Sequence, residues 1–367
     1  MIAVVVTALA GLMPAPAVAS GSTVSVEATR MLDLGTLGGQ NSYAGGLNVW
    51  GHVAGTADTS GGWAHAFRWT PSGGMQDLGT LGGRNSYGAD INVLGQIVGA
   101  SEYEVGTEGE TRAFRWTPSG GMQDLGTLDG GSTGAAAINN RGQVVGFSYL
   151  SNGYSRAFLW TPSAGIRDLG TLGGPSSIAY DINDVGQVTG FADAADGSSH
   201  AFRWTPSGGM QDLGVLNPGT WRTAINARGQ VIGRGYRGFL WTPSGGRQDL
   251  GFAPAAINAR GQVAGDVTGG ETQFVVRWTP PGTVRIVGED SGRSWAYGIN
   301  DVGQVTGQRF APRGGPQAFF WTASTGITDL GTLGGDSSSP SEINIRGQVV
   351  GSADTADSRT HAFLWSP

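Results

Sequence analysis

Between residue 31 and its C-terminus the chain repeats one unit eight times, and no other property narrows its fold as sharply. Each copy carries a version of Ile-Asn-x-x-Gly-Gln-Val, then Ala-Phe-x-Trp-Thr-Pro, and all but one carry Asp-Leu-Gly. The Asn recurs at Asn48, Asn92, Asn139, Asn183, Asn226, Asn258, Asn300 and Asn344. The Trp recurs at Trp69, Trp116, Trp160, Trp204, Trp241, Trp278, Trp321 and Trp365, at spacings of 47, 44, 44, 37, 37, 43 and 44 residues. Periods of about 40–45 residues suit a four-stranded propeller blade and exceed a leucine-rich or ankyrin repeat.

Gly makes up 66 of 367 residues and only 14% of the chain is charged, which describes short strands and tight turns rather than amphipathic helices. Four strands can be read in each unit. Strand A ends in Ile-Asn, strand B begins at Gln-Val, strand C is Ala-Phe-x-Trp-Thr, and strand D carries Asp-Leu-Gly. Phe67 and Trp69 stand two apart on strand C, so they share a face that can pack on the next blade. In Asn92-Val-Leu-Gly95 and Thr70-Pro-Ser-Gly73 the turn residues stand where type I turns want them, which gives two hairpins per unit. The chain enters on a strand D segment, Met31-Leu-Asp-Leu34, and stops after a strand C segment ending at Pro367. The expected fold is therefore an all-β, eight-bladed β-propeller of four-stranded blades, its ring closed by the N-terminal strand joining the C-terminal blade. An open β-solenoid is the alternative, but it would need polar capping repeats, and the terminal copies are as regular as the inner ones.

Residues 1–19 read as a signal peptide: an apolar run from Ile2 to Met13, too short to span a bilayer, precedes Ala17-Val18-Ala19. No basic n-region precedes it. Residues 20–30 form a short lead and residues 31–367 one propeller domain. The absence of Cys means a secreted chain would be held by packing without disulfides. Every one of the 22 basic residues is Arg, and a net charge of −6 with no basic run argues against a nucleic-acid partner or an anionic membrane surface. The protein is expected to be a monomer with no cofactor, no metal and no membrane insertion after the signal segment is removed.

His200-Ala-Phe-Arg-Trp-Thr-Pro and His361-Ala-Phe-Leu-Trp, beside Asp-Leu-Gly-Thr-Leu-Gly-Gly and Ile-Asn-x-x-Gly-Gln-Val, resemble the HAF family of bacterial extracellular repeats, named after its His-Ala-Phe tripeptide. The resemblance implies an extracellular location and brings no shared activity with it. Only His65, His200 and His361 keep the His, and Arg112 and Arg156 replace it in two other copies, which speaks against a catalytic role.

A site needed once does not need seven copies, so the repeated Asp of Asp-Leu-Gly, the turn Asn and the dispersed His residues read as structural. Chemistry is expected where the copies disagree. The D–A and B–C connections share one face of a propeller, and in units 5 to 7 they depart from the stereotyped sequence. There Trp221, Arg222, Arg234, Tyr236, Glu289, Asp290, Arg293 and Trp295 combine ring faces with charges, a platform suited to a sugar or peptide. Asp290-Ser-Gly-Arg-Ser-Trp295 is also similar to the Asp-box turn of sialidase-like propellers, a structural motif there. Asp90, Asp181 and Glu342 precede the Ile-Asn pair in units 2, 4 and 8, at positions that can line the channel. No nucleophile, metal or phosphate-binding motif stands out. The sequence thus favours a secreted, non-enzymatic binding or scaffold module for an extracellular glycan or protein. An extracellular polysaccharide hydrolase or lyase, and a purely structural envelope component, remain the alternatives.

Overall fold

The computed structural model describes residues 31–103, 110–216, 222–234, 238–269, 272–287, 293–310 and 315–367, so the segment read as a signal peptide and the lead after it lie outside the described residues. Eight antiparallel sheets of four strands each are arranged in a ring: an all-β, eight-bladed propeller. In seven blades the strands follow sequence order from the first, A, to the fourth, D. The eighth takes its first three strands from Gly334–Ile343, Val349–Thr355 and Thr360–Trp365, and its outer strand from Leu32–Asp33.

Leu32 lies opposite Leu364 and Asp33 opposite Phe363, and the Leu34 amide donates to Ala362 O at 2.9 Å. The ring is therefore closed by backbone pairing between the two ends of the domain, as the phase of the repeat requires. His361 Nδ1 adds a contact of 2.9 Å to the Asp33 carboxylate. The same pairing joins His65 to Asp77 at 2.9 Å and His200 to Asp212 at 2.8 Å, and Arg309 meets Asp329 at 2.7 Å. The His of His-Ala-Phe and the Asp of Asp-Leu-Gly thus tie strand C to strand D within a blade.

Phe67 and Trp69 do share a face, but it meets the blade before, not the next one. They pack with Val350, Ala362 and Leu364 of blade 8, and Phe114 and Trp116 of blade 2 pack with Ala54 and Ala66 of blade 1. The partner face must be nearly smooth for a Phe and a Trp to enter, which is why strand C offers an Ala before its Phe in most copies. A buried hydroxyl on strand A bridges most such pairs of blades. Ser86 Oγ accepts the Ala66 amide at 2.9 Å and donates to Gly79 O at 2.6 Å, and Ser42, Ser177 and Ser338 repeat the arrangement.

Strand A carries a bulge in seven blades, visible as register shifts such as that between Gly88 and Asp90. The strand B Gly makes room for the displaced backbone: a Cβ on Gly99 would stand 1.8 Å from Tyr87 O and 3.0 Å from the Phe114 ring.

Candidate functional site

Two cavities of similar size lie on opposite faces. The first, about 400 Å3, is the channel mouth at the A–B turns. Its rim is a hydrogen-bonded circle. Asn48 Nδ2 donates to Asn92 O, Asn92 to Asn139 O, and so on through Asn183, Asn226, Asn258 and Asn300 to Asn344, whose Nδ2 returns to Asn48 O, all at 2.9–3.1 Å. Each Asn Oδ1 also accepts two amides of its own turn, as Asn92 does from Leu94 and Gln96 at 3.0 Å. In seven turns the second Nδ2 proton goes to the Gln four residues on; in the first turn His52 stands in place of that Gln. Seven of these eight Asn side groups are fully used, so the Asn circle itself is architectural.

Glu342 lines this cavity and interacts electrostatically with Asp90 and Asp181, each of the three acids reaching the following blade. Asp90 Oδ2 accepts Ile138 N at 2.9 Å, Asp181 Oδ2 accepts Ile225 N at 2.9 Å, and Glu342 Oε2 accepts Leu47 N at 2.7 Å. Asp90 and Asp181 also accept the amides of Ile91 and Ile182, so both their oxygens are engaged. Burial raises all three carboxyls, and their mutual repulsion adds to it for two: Asp181 is pushed up to about 6 and Glu342 to about 8, while Asp90 rises through burial alone. These acids clamp neighbouring blades together. Among the described residues no group of three or more His, Asp or Glu side chains is placed to hold a metal ion.

The second cavity, about 430 Å3, lies among blades 5, 6 and 7 at the end of the ring carrying the D–A and B–C connections. It exists because unit 5 is cut short. Its strands B and C are four residues each, Val231–Arg234 and Phe239–Thr242, against seven in blade 1, and only residues 250–252 connect its strand D to the next strand A. The stereotyped Gly-Thr-Leu-Gly-Gly connection is missing there, and the cavity forms a notch among the described residues.

Three polar residues face the notch from one register position. After the strand B Gly the eight copies read Thr56, Ala100, Phe147, Phe191, Arg234, Asp266, Gln308 and Ser352, and the three cavity-lining members come from consecutive blades. Trp295, Tyr297, Phe310, Ala253, Pro254, Ala255 and Ala296 complete the lining. Trp295 and Phe310 meet edge to face, with centroids 5.4 Å apart, which holds the indole upright. Asp266 Oδ1 accepts the Ala296 amide at 2.6 Å. Burial outweighs that bond and the nearby Arg234 cation, pushing the Asp266 carboxyl up to about 7. Burial likewise lowers Arg234, reinforced by the Arg222 charge and opposed by Asp266 and Tyr297.

Of the residues expected from sequence, the structure brings Arg234 and Trp295 together in the notch. Arg222 lies opposite Arg234 in the ladder, but its guanidinium sits 6.0 Å from the Tyr180 ring centroid, toward blade 4. Arg293 is exposed outside the cavity and contributes its carbonyl to the Phe310 amide at 3.0 Å. Trp221, Tyr236, Glu289 and Asp290, with the first half of the Asp-box segment, lie outside the described residues. Arg222, Arg234 and Trp295 stand on strands rather than in the loops expected, and sequence reasoning misses Asp266, Gln308 and Tyr297 because it follows the segments where the copies diverge most visibly. Aligning the eight copies as a column after the strand B Gly finds the first two.

No family model matches the chain, and no curated protein matches it. Among solved structures it is similar in fold to puromycin hydrolase, with a TM-score of 0.51 and 15% identity, the likeness covering 60% of that protein and 91% of this one. The β-propeller domain of the Trilobed protease from Pyrococcus furiosus gives a TM-score of 0.49 at 11% identity, covering 93% of that domain and 76% of this protein. The BP39L lectin from Burkholderia pseudomallei gives 0.46 at 10% identity, covering 98% of the lectin and 89% of this protein. The chain spans three fifths of the hydrolase's length, and the likenesses are of fold alone. Its class is that of the β-propellers, with a side notch in a regular ring.

Proposed function

We propose that the protein is an extracellular binding module whose ligand, a glycan or a protein surface, seats in the notch between blades 5 and 7. The observation that carries this reading is the coincidence of one Arg, one Asp and one Gln at equivalent positions of three successive blades with an indole fixed beside them. Such a mostly apolar hollow with a few convergent polar groups is what small-ligand sites look like, and its volume falls in their usual range of roughly 300–1,000 Å3. The notch holds a single carboxyl among its described lining residues, whereas glycoside hydrolysis calls on two. The apolar N-terminal segment and the resemblance to extracellular repeats support the location.

The test is a glycan array and a panel of extracellular proteins probed with the full-length protein and with Trp295→Ala. Removing the indole is expected to weaken capture at least tenfold, the scale of one lost stacking contact of about 1.4 kcal/mol. Capture equally strong with Trp295→Ala and with Arg234→Gln would refute the notch as the site.

A further inference from the structure

The lining chemistry narrows the ligand, on the premise that the notch is the binding site. We propose that it takes a uronate unit of an acidic polysaccharide, with the sugar carboxylate against Arg234, hydroxyls on Asp266 and Gln308, and a sugar ring face on Trp295. A uronate presents a carboxylate, several hydroxyls and an apolar ring face within one residue, and the notch presents a partner for each. The Arg234 guanidinium offers the planar donor pair that matches a carboxylate. Asp266 has one oxygen held by the Ala296 amide at 2.6 Å and the other without a hydrogen-bond partner among the described residues, and Gln308 can donate or accept. The indole is braced by Phe310 and stands among the lining residues, where the C–H face of a sugar can stack.

The same residues make the binding pH-dependent. Among the described residues, the titratable groups facing Asp266 are Arg234 from blade 5 and Tyr297 from blade 7, with Arg222 opposite Arg234. The flanking strands of its own blade set Ala253 and Val275 opposite it, which carry no charge. Asp266 titrates at about 7. Below that value its carboxyl is neutral, the notch carries the Arg234 cation, and an anion is welcomed. Above it the carboxylate cancels the cation. A uronate keeps its own charge throughout, so the change falls on the protein.

The experiment is calorimetric titration of the full-length protein with an oligouronate and with its carboxyl-reduced, neutral counterpart, at about pH 5.5 and about pH 8.5, either side of the Asp266 value. The expected result is binding of the oligouronate near pH 5.5 that falls about tenfold near pH 8.5, with the neutral sugar at least tenfold weaker at the lower pH. Asp266→Asn should bind the oligouronate equally at both pH values. Arg234→Gln should lose the preference for the uronate over the neutral sugar, and Arg234→Lys, which keeps the charge, should retain part of it and covers the case in which Arg234→Gln does not fold. Equal binding of both sugars, or a pH dependence unchanged in Asp266→Asn, overturns the uronate proposal while leaving a glycan-binding notch intact. Capture of an acidic peptide but neither sugar, lost in Trp295→Ala, overturns it too and leaves the notch as a protein-binding site. No binding at the notch by any probe removes both readings.

Discussion

Asp90, Asp181 and Glu342 make the stability of the ring depend on pH in a direction opposite to that of most proteins, and Glu342 is the place to test it. Its carboxyl is held at about 8, far above the ordinary 4.5, because it is buried and meets the charges of Asp90 and Asp181. A carboxyl raised in the folded state binds its proton more tightly there than in the unfolded state. Stability is therefore highest below the ordinary value and declines as pH rises from about 4.5 to about 8, then levels off. At ~1.4 kcal/mol per pH unit a sealed group would lose roughly 5 kcal/mol across that window. The carboxyl faces a channel that admits water, so about half, ~2 kcal/mol, is the expected size. Glu342→Gln keeps an oxygen for the Leu47 amide, now 2.7 Å from the carboxylate, and removes the titration. Urea unfolding of both proteins from about pH 5 to about pH 8.5 should show them nearly equal at the acid end and the variant more stable by ~2 kcal/mol at the alkaline end. Asp181, whose rise to about 6 comes from burial and the Asp90 charge, adds a smaller decline in the same direction to both proteins. A variant with the same pH slope as the natural protein would refute the reasoning, since the carboxyl would then be titrating as it does in water.

Asn183→Ala removes two donors to Asn226 O and Gln187 Oε1 and one acceptor shared by the Val185 and Gln187 amides, all at a buried position. A loss of about 2–4 kcal/mol is expected by urea unfolding, and a loss under about 0.5 kcal/mol would show that the Asn circle is decoration. Leu34→Ala thins the cluster in which the N-terminal strand meets Trp69 and Leu364. It should cost about 2–4 kcal/mol and speed proteolysis near residue 31, whereas unchanged protection would mean that the closure contributes little.

The ring was legible because each copy states its turns outright. Asn and Gly at fixed offsets, and Pro second in the C–D turn, name two hairpins, and the spare strand at one end matches the missing strand at the other. The Asn circle was legible only as turns. A turn Asn is explained locally by its Oδ1, and nothing in the one-dimensional pattern shows that its Nδ2 lies within reach of the next blade's carbonyl. The site was half legible for a related reason. Arg234 and Trp295 stood out because they border segments that depart from the repeat, although both stand on strands, whereas Asp266 and Gln308 replace strand residues without disturbing the repeat around them. The strand A bulges were hidden too, since a bulge adds one residue to a strand and leaves no residue type behind.

The two faces of the ring have divided the work. On the A–B side every copy uses its Asn to reach the next blade, so a change there would break the bond to that neighbour and the bonds within its own turn. Variation is tolerated only on the other side, and unit 5 shows its consequence. Cutting the unit to a 37-residue spacing removes the strand extension that elsewhere carries the bridging hydroxyl, and Phe252 stands buried where blade 6 would have its Ser. Thr223 Oγ1 in blade 5 is buried without a hydrogen-bond partner among the described residues. An unmet hydroxyl costs about 1–3 kcal/mol, so the shortened unit is locally worse as a blade. Seven regular blades and a closed circle of Asn bonds can carry one weak unit. A notch lined by Arg234, Asp266 and Gln308 is what that tolerance leaves room for, and there three consecutive copies each offer a different polar group to the same cavity.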